Sequence, residues 1–324
     1  MPVSYVGVDV SKLTLDIFVE VDGQGKHQKF LNCPAGFKDM NKWFQRQKIK
    51  NVHVCMEATG SYWERFAAFC FDEGWNVSVL NPSCIKRFAQ SELKRTKTDK
   101  VDAGVICRFA KAMQPGLWTP PPKEVQVLQA LSRRLHSLMK MRRQELNRRE
   151  AEYEKVVKTS IGNVVKMLDA EIAKVRKRIK QVLMRHDHLK KKHDLLVSIP
   201  GVGDETAHLV LAEVPNLEFF EEAKQLVAFA GLAPREIRSG TSVRGRSSLS
   251  KMGNSRLRQG LYMCALVAMK WNPIISAFCE RLLQRGKPPM KVLGAAMRKM
   301  LHIIYGVLKS EKPFRVDLAS AVCK

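Results

Sequence analysis

The tightest constraint on the fold is the order of short periodic runs in the first hundred or so residues. Ser4–Val10 (SYVGVDV) and Leu13–Glu20 (LTLDIFVE) alternate as a β-hairpin would, and His27–Leu31 predicts a third strand after the Asp22-Gly23 turn signal. Phe37–Gln47 predicts a helix, Val52–Met56 a buried strand, Tyr62–Glu73 a helix, and Val77–Leu80 a strand that ends at Asn81-Pro82. Thr98 predicts the N-cap of a helix from Asp99 to about Met113.

Three strands followed by alternating helices and strands is the ribonuclease-H-like order, an α/β arrangement in which certain acidic residues acquire meaning. Asp9 lies mid-strand in an apolar run, where an aspartate must face a functional edge or bear a desolvation cost. Glu57 follows VHVCM, at the end of a strand that this order places beside the first. Asp99 and Asp102, three apart on a helix, share a face within a basic stretch that includes Lys94, Arg95, Lys97 and Lys100. Singly, Asp9 could cap a turn, Glu57 end a strand and Asp99 serve the helix dipole. Together they form a set of clustered oxygen ligands, which is what holds divalent ions against the charge of a phosphate in two-metal phosphodiester chemistry. Sugar-kinase and chaperone-type ATPases open on a similar hairpin, but they want a Gly/Thr-rich turn where Ser11-Lys12-Leu13 stands, and no second half-domain follows.

Composition names the partner class. There are 56 Lys and Arg against 31 Asp and Glu, a net charge of +25, which implies a polyanion bound through counterion release. A packaging protein would share that excess; the placement of the carboxylates argues instead for an enzyme. The eight cysteines are scattered without a CxxC pair and mostly lie in apolar runs, the usage of a reducing cytoplasm. The N-terminal residues lack the basic, apolar and cleavage segments of a secretory signal, and the apolar stretches 261–269 and 292–308 are short or broken by Arg298 and Lys299. A soluble cytoplasmic protein with no membrane partner is the expectation.

Past the proline-rich run from Gln114 to Pro122, the segment from Glu124 to about Asp194 contains no proline. Leu128, Leu131, Leu135 and Leu138 form one seam, and Leu168, Ile172, Val175, Ile179 and Val182 a second, predicting two long helices joined near Ser160–Asn163 as a coiled coil. Ser198–Gly203 (SIPGVG) followed by Thr206-Ala207 is a helix-hairpin-helix signature, in which Gly201 and Gly203 would present backbone N–H groups to a DNA phosphate. An ordinary helical corner is the competing reading. The stretch from Gly231 to Arg258 is basic, glycine-punctuated and rich in hydroxyls, as a phosphate-gripping loop would be, with Arg235, Arg238, Arg244, Arg246, Lys251, Arg256 and Arg258 as the candidate contacts.

With these motifs in hand, the chain closely resembles the DEDD-type insertion-sequence transposases (the insertion sequence 110 family), which are bridge-RNA-guided serine recombinases. The likeness rests on GVDVSK around Asp9, MEATG around Glu57, TDKVDA with Asp99 and Asp102, SIPGVGDETA, FAGLAPREIRSG and SKMGNSRLR, and it covers nearly the whole chain. It implies a RuvC-like domain over 1–115, a linker over 116–123, a helical coiled coil over 124–194 and a mainly helical C-terminal transposase domain over 195–324. It also implies Mg2+, with Mn2+ as a substitute, on Asp9, Glu57, Asp99 and Asp102. Ser239 falls on the nucleophile position, with Ser242 and Ser250 close by. The implied partners are double-stranded donor and target DNA, a guide RNA, and further copies of the chain in a dimer of dimers. A hydrolytic, RuvC-like junction-resolving nuclease would use the same carboxylates without a covalent step.

Overall fold

The computed structural model describes residues 3–21, 23–58, 60–92, 99–214, 216–235, 238–239, 243–244 and 248–316, and for 99, 100, 238, 239, 243 and 244 the backbone alone. The chain divides into two units, Met1–Pro120 and Pro121–Lys324.

In the first unit β1 (Ser4–Val10), β2 (Thr14–Val21) and β3 (Gln24–Leu31) form an antiparallel meander, followed by α1 (Pro34–Arg46), β4 (Val52–Glu57), α2 (Glu64–Asp72), β5 (Asn76–Leu80), α3 (Pro82–Ser91) and α4 (Asp99–Met113). The sheet order is β3-β2-β1-β4-β5, with β4 parallel to β1 and β5 parallel to β4. This mixed sheet is consistent with a ribonuclease-H-like transposase domain. Strand alternation divides the side chains between two cores. Val6, Val8, Val10, Leu15, Ile17, Val54 and Met56 pack with Phe37, Met40, Phe44 and Phe66 of α1 and α2. Cys55 and Leu80 pack on the opposite face with Val105, Ile106 and Ala110 of α4.

The strand ends at Asn81-Pro82 as its turn signal predicts, and the same pair also begins α3, a helix absent from the sequence reading: the Asn81 side chain accepts a hydrogen bond from Ser83 N, and Pro82 occupies the first turn, where its missing N–H costs nothing. Residues 115–118 run along β5, since Trp118 N donates to Val77 O (2.6 Å) and Ser78 Oγ to Gly116 O (2.8 Å).

The second unit begins with α5 (Lys123–Ala151), α6 (Lys155–Arg185) and α7 (Asp187–Val197). The apolar seams are where the periodicity puts them, with Leu128, Leu135, Leu138, Leu168, Ile172 and Ile179 buried, but the joint is not. Ser160–Asn163 lies inside α6, where nothing comes within 4 Å of the space a Gly162 side chain would fill. The chain turns instead at 152–154, where Glu152 Oε1 accepts N–H groups from Glu154 (3.0 Å) and Tyr153 (2.8 Å). Those two bonds hold the Glu152 carboxyl below its ordinary range. A carboxylate bonded to the backbone of the two residues after it holds those residues in a turn ahead of α6, whereas one glycine inside a helix only lowers its propensity. A second break, at His186, separates α6 from α7.

The unit continues through α8 (Asp204–Glu213), α9 (Ala223–Phe229), the two-residue strands β6 (Pro234–Arg235), β7 (Arg238–Ser239), β8 (Val243–Arg244) and β9 (Ser248–Leu249), and then α10 (Ser255–Trp271), α11 (Pro273–Gln284) and α12 (Pro289–Ser310). α12 is central, burying Val292, Ala296, Met300, Leu301 and Ile304 among others, and one apolar core runs from Val125 of α5 to Val307. Asn272 is fully buried at the α10–α11 corner; its oxygen caps α11 at Ile274 N and Ile275 N, and its Nδ2 donates to Pro200 O. Among the described residues no single helix is long and apolar enough to cross a membrane.

Candidate active site

The face of the sheet under α4 gathers the acidic residues. Asp9 shares the side of β1 that carries Gly7, and Glu57 the side of β4 that carries Cys55, because side chains alternate along a strand. The last paired residues of these parallel strands are Val8 and Met56, so Asp9 and Glu57 are the next positions of neighbouring strands. Gly7 admits α4: a Cβ there would stand 2.1 Å from Ala103 O and 2.4 Å from Cys107 N. Cys107 Sγ also donates to Tyr5 O (3.1 Å), so α4 runs back along β1. From Gly7 to Asp9 a strand advances about 6.6 Å, the rise of about four helical residues. That brings the 99–102 turn of α4 alongside Asp9. Asp9, Glu57 and Asp102 are each half-buried. Asp9, Glu57 and Asp102 thus occupy neighbouring positions on three adjacent elements, and carboxylate oxygens are the donors that a hard divalent cation takes. Thr98 and the basic run before it lie outside the described residues.

The sequence reasoning missed Asp16. It pairs directly across from Asp9 on β2, and opposed residues of an antiparallel pair project to the same face. It is 4% exposed and is held by His27 Nε2 and Lys29 Nζ of β3, each at 3.0 Å. Its signal was present in LTLDIFVE, an aspartate inside an apolar alternation as in VGVDV. Arg108 of α4 reaches Glu92 at the end of α3, its Nε and Nη2 both 2.8 Å from that carboxylate.

In the second unit the serine region holds two short antiparallel ladders, one nested in sequence within the other. Pro234 and Arg235 pair with Leu249 and Ser248, and Arg238 and Ser239 pair with Arg244 and Val243. Ser239 belongs to the nested pair. The base is closed backbone to backbone by two glycines in left-handed conformations. A Cβ on Gly253 (φ 140°) would meet Phe229 O at 2.2 Å, and one on Gly231 (φ 68°) would meet Lys251 C and Met252 O at 3.0 Å. This explains the FAGLAP and SKMGN motifs structurally. Ser250 sits at that base, its Oγ accepting from Met252 N. Ser242 and Arg246 lie outside the described residues.

The basic candidates separate by environment. Arg235 is exposed. Arg256 instead grips Glu213, which is 8% exposed, through Nε (2.7 Å) and Nη2 (3.1 Å), while Asn254 Nδ2 donates to the same carboxylate. Arg258 donates to Ala230 O (3.0 Å). Lys251 takes a left-handed turn (φ 55°) beside Gly231. At the helix-hairpin-helix signature, Gly201 (φ 102°) is required by Ala268 of α10, whose Cβ would lie 2.6 Å from an added one, whereas Gly203 faces open space at the start of α8. The first turn of α8 carries Asp204 and Glu205, and Glu205 pairs with Arg176 of α6, so negative charge already answers that helix end.

Residues 6–157 match a transposase family model of the DEDD type, and residues 193–280 match the transposase IS116/IS110/IS902 family. The chain is 32% identical to the pilin gene-inverting protein of Moraxella bovis, over 97% of this chain and 98% of that one, and equally to its counterpart in Moraxella lacunata. A probable family 20 transposase of Pseudomonas aeruginosa is 25% identical over 97% of this chain and 99% of its own length.

Proposed function

The chain belongs to the IS110 family of transposases, enzymes that cut and rejoin DNA, and on that premise we propose that it recombines an insertion sequence through a covalent serine–DNA intermediate served by a metal site of carboxylates. The observation that carries this reading is the convergence of Asp9, Glu57 and the 99–102 turn of α4 on one face of the sheet. Asp9, Glu57, Asp99 and Asp102 would hold Mg2+, or Mn2+ in its place. When bound, such an ion supplies charge stabilisation at the phosphate and lowers the pKa of an attacking hydroxyl.

Ser239 is the nucleophile. Its Oγ forms a bond to phosphorus, the bond from phosphorus to one deoxyribose oxygen breaks, and that oxygen leaves as a hydroxyl carrying the serine's proton. Attack by the hydroxyl of the new partner strand reverses the step and frees Ser239. Each phosphodiester lost is regained, so no ATP is required. Arg235, Arg238, Arg244 and Arg246 balance the phosphate charge. The engagement of Ser250 in its own turn favours Ser239. Inserting an element and inverting a segment need this same cutting and rejoining, and the similar proteins are named for one or the other.

Donor and target choice falls to a guide RNA, with the protein holding backbones while base pairing reads sequence, and four chains assemble as a dimer of dimers. The net charge of +25 supports a backbone-holding role. The test is recombination of element-end DNA with wild type, Asp9→Asn and Ser239→Ala, with and without RNA transcribed from the element's non-coding end. Both variants should lose recombination, and wild type alone should form a denaturation-resistant protein–DNA adduct. Cutting by Ser239→Ala with no adduct in wild type would replace the serine step with hydrolysis at the carboxylates, and RNA-independent recombination would remove the guide.

A further inference from the structure

A second constellation lies at the α7–α8 corner, among side chains the proposed chemistry does not use. His193 of α7, Asp204 at the start of α8 and His208 one turn further each offer a donor atom, and these atoms all lie within 4.8 Å of one another. Asp204 and His208, four apart, share a helix face. The imidazole rings of His193 and His208 are stacked, with centroids 5.2 Å apart and planes at 26°.

The hydrogen bonds here do not close. His193 Nε2 is 3.1 Å from Asp204 Oδ1 but out of line for a hydrogen bond, and both it and His208 Nδ1 are buried without a hydrogen-bond partner among the protein atoms. The other nitrogen of His193, Nδ1, lies 3.3 Å from Asp194 Oδ1. A proton on Nδ1 donated to Asp194 leaves a lone pair on Nε2, facing the Asp204 carboxylate. His208 Nδ1, likewise buried and unpartnered, is the second imidazole nitrogen at this corner. Two imidazole nitrogens without a hydrogen-bond partner and a carboxylate, with donor atoms of all three residues within 4.8 Å of one another, are a set that a single cation would satisfy.

We propose that His193, Asp204 and His208 bind a borderline divalent transition ion, Zn2+ foremost, that fastens α7 to α8 across the 198–203 turn. Two imidazoles and one carboxylate are a donor set for zinc rather than for magnesium, and Asp194 is the outer partner that orients a ligating histidine. Asp204 is 73% exposed on its side chain while His193 is 16%, so the ion's fourth position opens outward to water or an anionic oxygen. This centre differs in chemistry from the carboxylate cluster and stands independently of it.

The test uses the full chain, stripped with a chelator and titrated with Zn2+ by calorimetry and with Co2+ by visible absorption. Wild type should take one tightly held ion per chain, show the ligand-field bands of four-coordinate Co2+ and gain thermal stability on loading. His208→Ala and His193→Ala should weaken binding by about 10-fold or more. Asp204→Asn, at an exposed position where folding is not at stake, should weaken it while leaving the melting of the stripped protein unchanged. Asp9→Asn should bind as wild type does. Equal binding by wild type and the His193→Ala/His208→Ala double variant overturns the proposal. So does loss of binding in His186→Ala/His188→Ala instead, since those two rings also lie near each other on the surface, and so does a stripped protein whose melting no Zn2+ addition shifts.

Discussion

The face beneath α4 and the ladder that carries Ser239 hold polar groups by opposite means. Beneath α4, every candidate ligand sits on a strand or helix whose register is set elsewhere: the alternation of Val6, Val8 and Val10 turns Asp9 to the α4 side, and Gly7 lets the helix lie directly on the strand. In the serine region the close backbone contact is at the foot, Gly231 against Gly253, and Ser239 lies on the β7–β8 pair nested in sequence within β6–β9. Rigid elements suit ligands that must meet one ion within fractions of an ångström, whereas a short hairpin suits a nucleophile that engages a large substrate.

The contrast can be broken most severely at Gly7. Gly7→Val would drive α4 off β1 and cost about 3 kcal/mol or more, unfolding the first unit while α5–α12 keep their own transition. Trp43, Trp63, Trp75 and Trp118 lie in the first unit and only the exposed Trp271 in the second, so tryptophan fluorescence during urea unfolding reports chiefly on the first. A single unchanged transition would show that the strand–helix contact does not set the face.

Next in size is a test on the ladder side. Glu213→Ala leaves Arg256 and Asn254 without their shared acceptor and should cost about 2 kcal/mol, and Arg256→Ala should destabilise comparably. Arg235→Ala, at an exposed position, should leave the melting temperature alone and flatten the salt dependence of DNA binding. If Arg256→Ala weakens DNA binding with no loss of stability, its grip on Glu213 is incidental.

A sharper comparison lies within the α4 face. Asp16→Asn weakens the contacts to Lys29 and His27 and should cost about 1 kcal/mol while leaving DNA cutting detectable. Asp9→Asn should lower cutting by at least about 100-fold, because several kcal/mol of charge stabilisation depend on the ion it would help hold, with no comparable loss of stability. Equal effects on cutting would make Asp16 a fifth member of the cluster. The smallest effect is expected at Gly162→Ala, which should stabilise the second unit by about 0.5–1 kcal/mol in thermal unfolding. A loss there would return the joint to Ser160–Asn163.

What could be read in advance follows from these same residues. β1, β4, β5 and α4 were legible because a half-buried strand or helix writes its period into the chain, and Asp9 stood out against that period. Asp16 stood out equally, but its strand lies one step further from the crossover that drew attention to Glu57. Asn81-Pro82 stops one element and starts the next, and local sequence does not say which role prevails until the chain after it finds a surface to pack on. The turn at 152–154 depends on a glutamate bonding to its neighbours' backbone, which no apolar period reveals. The serine ladder, with strands of two residues each, is too short for any period, so Ser239 was reached through resemblance alone.

The paired glycines at the foot of the ladder also bear on how such a chain can diverge. Because Gly231 and Gly253 fasten the two ends together, lengthening the chain between Arg235 and Ser248 outside the β7–β8 pairs adds mainly loop-closure entropy, about 0.6 kcal/mol for a doubling of length. The helices that anchor it need not answer. A lineage could therefore rewrite that loop, and with it what the hairpin touches, through insertions that leave the folding of the rest of the unit intact.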